Sequence, residues 1–96
     1  MGTKIVKLVT QEEIICKHEY KDETGDHILK NPCIIIMSAE GFGAMPWLPC
    51  GKTEEGVAIN ESFVMAVVDP IDEMRNEYET KFGSGLVVPT APMGLA

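Results

Sequence analysis

The chain has 96 residues, 45% hydrophobic and 24% charged, with 15 acidic side chains against 8 basic ones and a formal net charge of −7. That is the size of one small domain, and the composition is that of a folded chain rather than a disordered one. No apolar run has the length of a membrane span, nothing reads as a secretory leader, and a pI near 4.7 argues against a conventional basic DNA-binding patch.

Ile5-Val6-Lys7-Leu8-Val9, rich in β-branched residues, predicts the first strand. Thr10-Gln11-Glu12 is the expected reversal, although it has neither Gly nor Asn to ease a tight turn. From Ile14 to Tyr20 the side chains alternate. Ile14, Cys16, His18 and Tyr20 share one face, with Ile15, Lys17 and Glu19 on the other, which predicts a half-buried antiparallel strand. Asp22-Glu23-Thr24-Gly25-Asp26 predicts a turn, with Gly25 available for positive φ. His27-Ile28-Leu29 restarts the sheet, and Cys33-Ile34-Ile35-Ile36-Met37 continues it after Asn31-Pro32. Proline has no amide proton to give a ladder, so Pro32 marks a sheet edge or a bulge.

Residues 38–56 read as irregular, because Gly41, Gly43, Pro46, Pro49, Gly51 and Gly56 break any long element. Gly41-Phe42-Gly43 lacks the continuation of a nucleotide loop, and Trp47 is assigned to plugging one end of the core. Val57-Ala58-Ile59 and Phe63–Val68 predict the last strands. The second is apolar on both faces, so both should be covered, by the core or by a neighbouring subunit. Asp69 then reads as an N-cap, Pro70 as the first helical position, and Ile71, Met74, Tyr78 and Phe82 as the apolar stripe of a helix over about 70–82 that stops at Gly83. The tail from Ser84 to Ala96, with Pro89 and Pro92, is expected to be flexible or extended. The predicted fold is mainly β. It is a strongly bent five-stranded antiparallel sheet or small open barrel in residues 1–83, with a C-terminal α-helix.

The charge is unevenly placed. Residues 1–52 carry six lysines (Lys4, Lys7, Lys17, Lys21, Lys30, Lys52) against seven acids, whereas residues 53–96 carry Arg75 and Lys81 against eight acids. A locally basic face on the N-terminal half is therefore compatible with the negative total. Cys16, Cys33 and Cys50 are odd in number and have no C-x-x-C spacing, which fits reduced thiols in a cytosol. Cys16-x-His18 with His27 lacks the ligand number and spacing of a zinc site, so no metal and no cofactor are expected. His18 and His27 are the candidate general bases, but no nucleophile stands beside either in a triad order. Glu12-Glu13 and Glu54-Glu55 read as solvated turns, and the chain is not read as an enzyme.

The order of turns and strand residues resembles the Sm-like (LSm) family, in particular its divergent small members from tailed phages of cyanobacteria. The first Sm motif lies on residues 6–29. Val6 and Leu8 take the opening strand positions, Gln11 the turn glycine, Ile14 the next apolar position, Cys16 the bend glycine, His18 an apolar position and Asp22 the motif aspartate. His27-Ile28-Leu29 forms the strand that follows. The second motif, Ile-Arg-Gly-x-x-Ile-x-x-Ile, lies on Ile59–Val67, with its apolar spacing kept at Ile59, Val64 and Val67. The sequence departs from the family at Thr24, where a flat stacking residue is usual, and at Asp26, where a base-contacting asparagine is usual. Asn60 and Glu61 replace the Arg-Gly pair, and the family's N-terminal helix is missing.

The resemblance implies a homo-oligomeric ring that binds single-stranded RNA, or DNA, near its pore, with no membrane partner. It places the contacts at Asp22, Thr24, Asp26 and His27 in the first loop and at Asn60 and Glu61 in the second. Lys17, Lys21 and Lys30 are the candidate phosphate partners. Phe63, Val64, Met65, Ala66, Val67 and Val68 are the candidate subunit interface, since in this family the last two strands of adjacent subunits pair edge to edge. The alternative is a non-catalytic structural or adaptor ring, for example in a virion, that binds no nucleic acid. Either role implies the cytoplasm, that of a host cell for a phage protein.

Overall fold

The computed structural model describes residues 2–82. The expectation of a tail at 84–96, and of a helix stop at Gly83, falls outside them. The described residues fold into a six-stranded antiparallel sheet that does not close, followed by one helix. The strands are β1 (Gly2–Leu8), β2 (Glu13–Lys21), β3 (Asp26–Ser38), β4 (Gly41–Pro46), β5 (Val57–Asn60) and β6 (Val64–Val68). A single 3-10 turn, Glu61–Phe63, separates β5 from β6, and α1 spans Asp72–Phe82. The sheet runs in the order β4-β3-β2-β1-β6, and β5 also pairs with β3.

The long strand β3 holds this arrangement together. Its edge away from β2 is shared: Asp26–Leu29 pair with β5, and Cys33–Ser38 pair with β4. Between those stretches the register against β2 slips, from Ile15 opposite Cys33 to Lys17 opposite Lys30. The slip is a bulge at Asn31-Pro32, as expected from the missing proline donor, and Asn31 takes a φ of 49°. The bulge frees backbone groups that must be satisfied elsewhere. The Asn31 amide donates to the Thr53 carbonyl, and the Pro32 carbonyl accepts from the Trp47 amide, both within 3.0 Å. The segment after β4 is thereby tied across the bulge.

Alternation along the strands makes two cores, one on each face. The inner core, in the bend of the sheet, contains Val6, Leu8, Ile14, Cys16 and Leu29, with Trp47, Ile59, Val64 and Val67 packed against it. Trp47, half-buried, packs against it, and its Nε1 donates to the Glu12 carboxylate at 3.2 Å. The outer core lies between sheet and helix and contains Ile15, Cys33, Ala44, Met74 and Tyr78. Tyr78 is fully buried, stacks on Phe82, and donates to the carbonyls of Lys30 and Asn31 at 3.1 and 2.9 Å. The helix is thus fastened to the bulge.

Three local expectations need correction. Gly41–Pro46, read as irregular, is a strand, because the β-branched half of β3 offers it an edge of matching length. Asp69 and Pro70 lie outside the helix, whose first backbone bond runs from the Arg75 amide to the Ile71 carbonyl. Asp69 instead pairs with Lys4 at 2.5 Å and with Arg75 at 3.9 Å, and these cations hold its carboxyl below the usual carboxylate range. Ile71 is exposed rather than part of a buried stripe, which leaves Met74, Tyr78 and Phe82 to anchor α1.

Candidate nucleic-acid interface

The β2–β3 turn forms because Lys21 and Asp26 close it as opposed residues while Gly25 adopts a φ of 73°. The Gly25 amide donates to the Lys21 carbonyl at 2.9 Å. The 3-10 turn forms because Asn60 caps it, its Oδ1 accepting from the amide and hydroxyl of Ser62. β5 pairs antiparallel with the start of β3, placing Asn60 opposite Asp26. The Glu61 amide then donates to the Gly25 carbonyl at 2.9 Å. Two loops more than thirty residues apart in sequence therefore meet at one end of the sheet. Asp22, Thr24, Asp26 and His27 stand beside Asn60 and Glu61 there.

The inner-face row of β2 continues past buried Cys16 to His18 and Tyr20, and that of β3 continues past buried Leu29 to His27. These three rings make a stack at the mouth of the bend. His18 Nε2 lies 2.8 Å from His27 Nδ1, the His18 and His27 ring centres are 5.1 Å apart, and His27 lies 4.9 Å from Tyr20. The Tyr20 hydroxyl donates to Glu61 at 2.9 Å. That bond, with Asp22 and Asp26 nearby, raises the phenol above its usual pKa. His18 is shifted the other way, lowered first by burial and then by His27 and Lys4. Tyr20 remains 43% exposed, so one ring of the stack presents itself to solvent.

No protein-family model matches the chain, and no curated protein is significantly similar to it.

The lysines divide. Lys21 ends β2 at the turn, beside the loop residues. Lys17 points to the opposite face, where it pairs with Glu79 of α1 at 3.5 Å, and its backbone partner Lys30 is also away from the mouth. The same Glu79 accepts from Thr3 at 2.7 Å, and these contacts hold its carboxyl low. Lys4 and Lys7 are likewise paired, with Asp69 and Glu13. Much of the expected basic face is therefore neutralised by the fold.

Tyr20 and His18 are the members of this site that sequence reasoning did not place among the contacts. Both were visible as the exposed continuation of the apolar row Ile14-Cys16, but an aromatic was sought only in the loop, at Thr24. Among the described residues no group of three or more His, Cys, Asp or Glu side chains gathers as metal ligands. No helix of the described residues is long and apolar enough to cross a membrane.

The candidate interface residues lie on the far side of β1. Val64–Val68 form β6, paired with β1 along one edge, while Phe63 ends the 3-10 turn. Within the described residues the other edge of β6 has no strand partner, nor has the outer edge of β5. Phe63, Met65 and Val68 are more than half exposed, so the expected cover for both faces of β6 is not supplied within the described chain. A groove of about 310 Å³ lined by Leu8, Val9, Trp47, Ile59 and Phe63 opens beside β5.

Proposed function

We propose that this chain is an Sm-like, ring-forming subunit that binds single-stranded RNA or DNA in nucleic-acid processing. The observation that carries the reading is the meeting of the β2–β3 turn with the 3-10 turn beneath a solvent-facing aromatic stack. Single strands are held by base stacking on aromatic rings together with polar contacts, and this arrangement offers both. Tyr20 supplies the flat surface that Thr24 lacks. Lys21 supplies charge at the turn from the strand face opposite Tyr20, and the backbone of Gly25-Asp26 and the side chain of Asn60 supply polar contacts.

The open edges of β5 and β6 support assembly. They belong to different strands, so pairing β5 of one copy with β6 of the next is heterologous, and such contacts close into rings when the rotation allows. That pairing satisfies two rows of backbone groups and covers exposed Met65 and Val68. A ring also multiplies a weak subunit site through valency.

Binding of fluorescent oligo-U, oligo-A and single-stranded DNA at about 50 and 200 mM salt tests the reading. Expected is micromolar affinity that falls with salt and that drops by roughly fivefold to a hundredfold in Tyr20→Ala, the loss of one stacked base. No binding to any strand at about 50 µM protein overturns it in favour of the adaptor ring. That second reading is favoured by the acids Asp22, Asp26 and Glu61 at the mouth. Light scattering tests the ring itself: Met65→Lys with Val68→Lys should yield folded monomers, and a monomeric wild type refutes assembly.

A further inference from the structure

The contact between His18 and His27 imposes a proton count. At 2.8 Å between Nε2 of His18 and Nδ1 of His27, one nitrogen must bear a hydrogen and the other must offer its lone pair. In the neutral pair, the donor ring leaves its outer nitrogen as an acceptor. One added proton goes onto that outer nitrogen. The inner hydrogen bond is unchanged, and the outer edges of both rings, Nδ1 of His18 and Nε2 of His27, now carry N–H groups around a single positive charge. A second added proton sets two N–H groups against each other and must open the contact. The pair therefore titrates in two steps that belong to both rings.

We propose that the His18–His27 pair is a proton-gated phosphate site, which on taking up one proton binds the backbone of a single strand lying on Tyr20. The proposal rests on the nucleic-acid reading and specifies how that site is regulated. His27 packs directly on Tyr20, so the new charge and donor arise beside the stacking surface. The groups facing the pair explain why a switch matters here. Lys4 of β1 and, from the other face of β2, Glu19 act on His18 through their charge, while Glu61 of the 3-10 turn, Asp22 of the β2–β3 turn and Asp26 of β3 act on the adjoining Tyr20. Lys4 is already paired with Asp69. With the pair neutral, the mouth is dominated by carboxylates that repel phosphate. With one proton added, a cation stands among them, repeated in every copy of a ring. Burial first, and then the neighbouring His27, lower His18 from its ordinary value.

Fluorescence anisotropy of the intact chain with labelled oligo-U, at fixed ionic strength and at about pH 8 and about pH 5.5, tests this; both values lie above the ordinary carboxylate range. Expected is affinity at least about tenfold tighter at the lower pH, the worth of one charge-assisted hydrogen bond. His27→Asn and His18→Asn should each reduce that ratio to under about twofold, because an amide does not take up a proton in this range. Imidazole NMR of the wild type, which needs no variant, should show two steps separated by more than about one pH unit. Binding that is equal at both pH values overturns the gate and leaves the nucleic-acid reading standing. Absence of binding at both overturns both, and two independent histidine titrations overturn the coupled pair whatever the variants do.

Discussion

Tyr78→Phe isolates the bond that fastens the helix to the sheet. The substitution keeps the ring in the outer core and its contact with Phe82, whose centre is 5.0 Å away, and removes only the hydroxyl. That hydroxyl donates to two carbonyls, Lys30 at 3.1 Å and Asn31 at 2.9 Å, beside the bulge where the ladder to β2 slips. Tyr78 is fully buried, so water does not reach the oxygens from its side. Removing one donor from a buried acceptor costs about 1–3 kcal/mol, more than the roughly 1 kcal/mol net worth of an ordinary hydrogen bond. For a domain of this size each kcal/mol lowers Tm by about 4–8 °C. A loss of at least about 4 °C in thermal denaturation follows, with the two-state character of the transition preserved. Tyr78→Ala, which also empties the ring's space, should cost about 3–5 kcal/mol, a large part of the stability of so small a domain. Burial lifts the Tyr78 phenol well above its usual pKa, so wild-type Tyr78 should also stay protonated at pH values where exposed tyrosines ionise. A Tyr78→Phe protein melting within about 2 °C of the wild type would refute the claim that these carbonyls depend on the hydroxyl.

Other consequences are more local. Gln11 holds a φ of 77° in the β1–β2 turn, so Gln11→Gly should raise stability by about 0.5–1 kcal/mol, visible as a higher urea midpoint with unchanged slope. Gly56→Ala should do the reverse by about 1–3 kcal/mol, since φ is 112° and a Cβ meets Ile28 Cγ2 at 2.5 Å; native yield or Tm reads it. Burial lifts the Cys16 thiol to about 12 and Cys33 to about 11, whereas Cys50 is exposed. A thiol reagent at neutral pH should therefore modify Cys50 rapidly and the other two only on unfolding. Asp69 and Glu79 have lowered pKa values through Lys4 and through Thr3 and Lys17, so their contribution is present above the ordinary carboxylate range and lost as pH falls through the folded values. Asp69→Asn with Glu79→Gln should flatten that acid limb in pH-dependent thermal melts.

The strands that alternate were legible, because one buried face writes a period of two into the sequence. Ile14-Cys16 and Val6-Leu8 are the inner core, and Pro32 marked the bulge through its missing donor. β4 was not legible. Glycine and proline at its positions argue against a strand, and only the free edge of Cys33–Ser38 recruits it. The helix start was misplaced for a related reason: Asp69-Pro70 is a good local cap, but Lys4 on another strand takes the carboxylate. At the candidate site the two loops were expected together, and pairing of β3 with β5 brings them together. Tyr20 was hidden because its role depends on which rows of the sheet run out into solvent, a property of the bend rather than of any one strand. Lys17 misled in the opposite way, since alternation turns it toward α1 and Glu79.

The pairing of lysines changes what the net charge says about binding. Had Lys4, Lys7 and Lys17 been free, the N-terminal half would have offered an extended basic surface, and steering by a broad field would have been its mode of recognition. The fold commits them to Asp69, Glu13 and Glu79, contacts that tie β1 to its neighbours and β2 to the helix. On the proposed reading, the His18–His27 pair is then the group through which the mouth changes sign. If the proposed nucleic-acid reading holds, such a site binds through few charges and much stacking. Its salt dependence should be shallow, because few counterions are displaced for each subunit. A steep dependence would place the contact on the opposite face of the sheet, where Lys30 lies across from Lys17, and not on Tyr20.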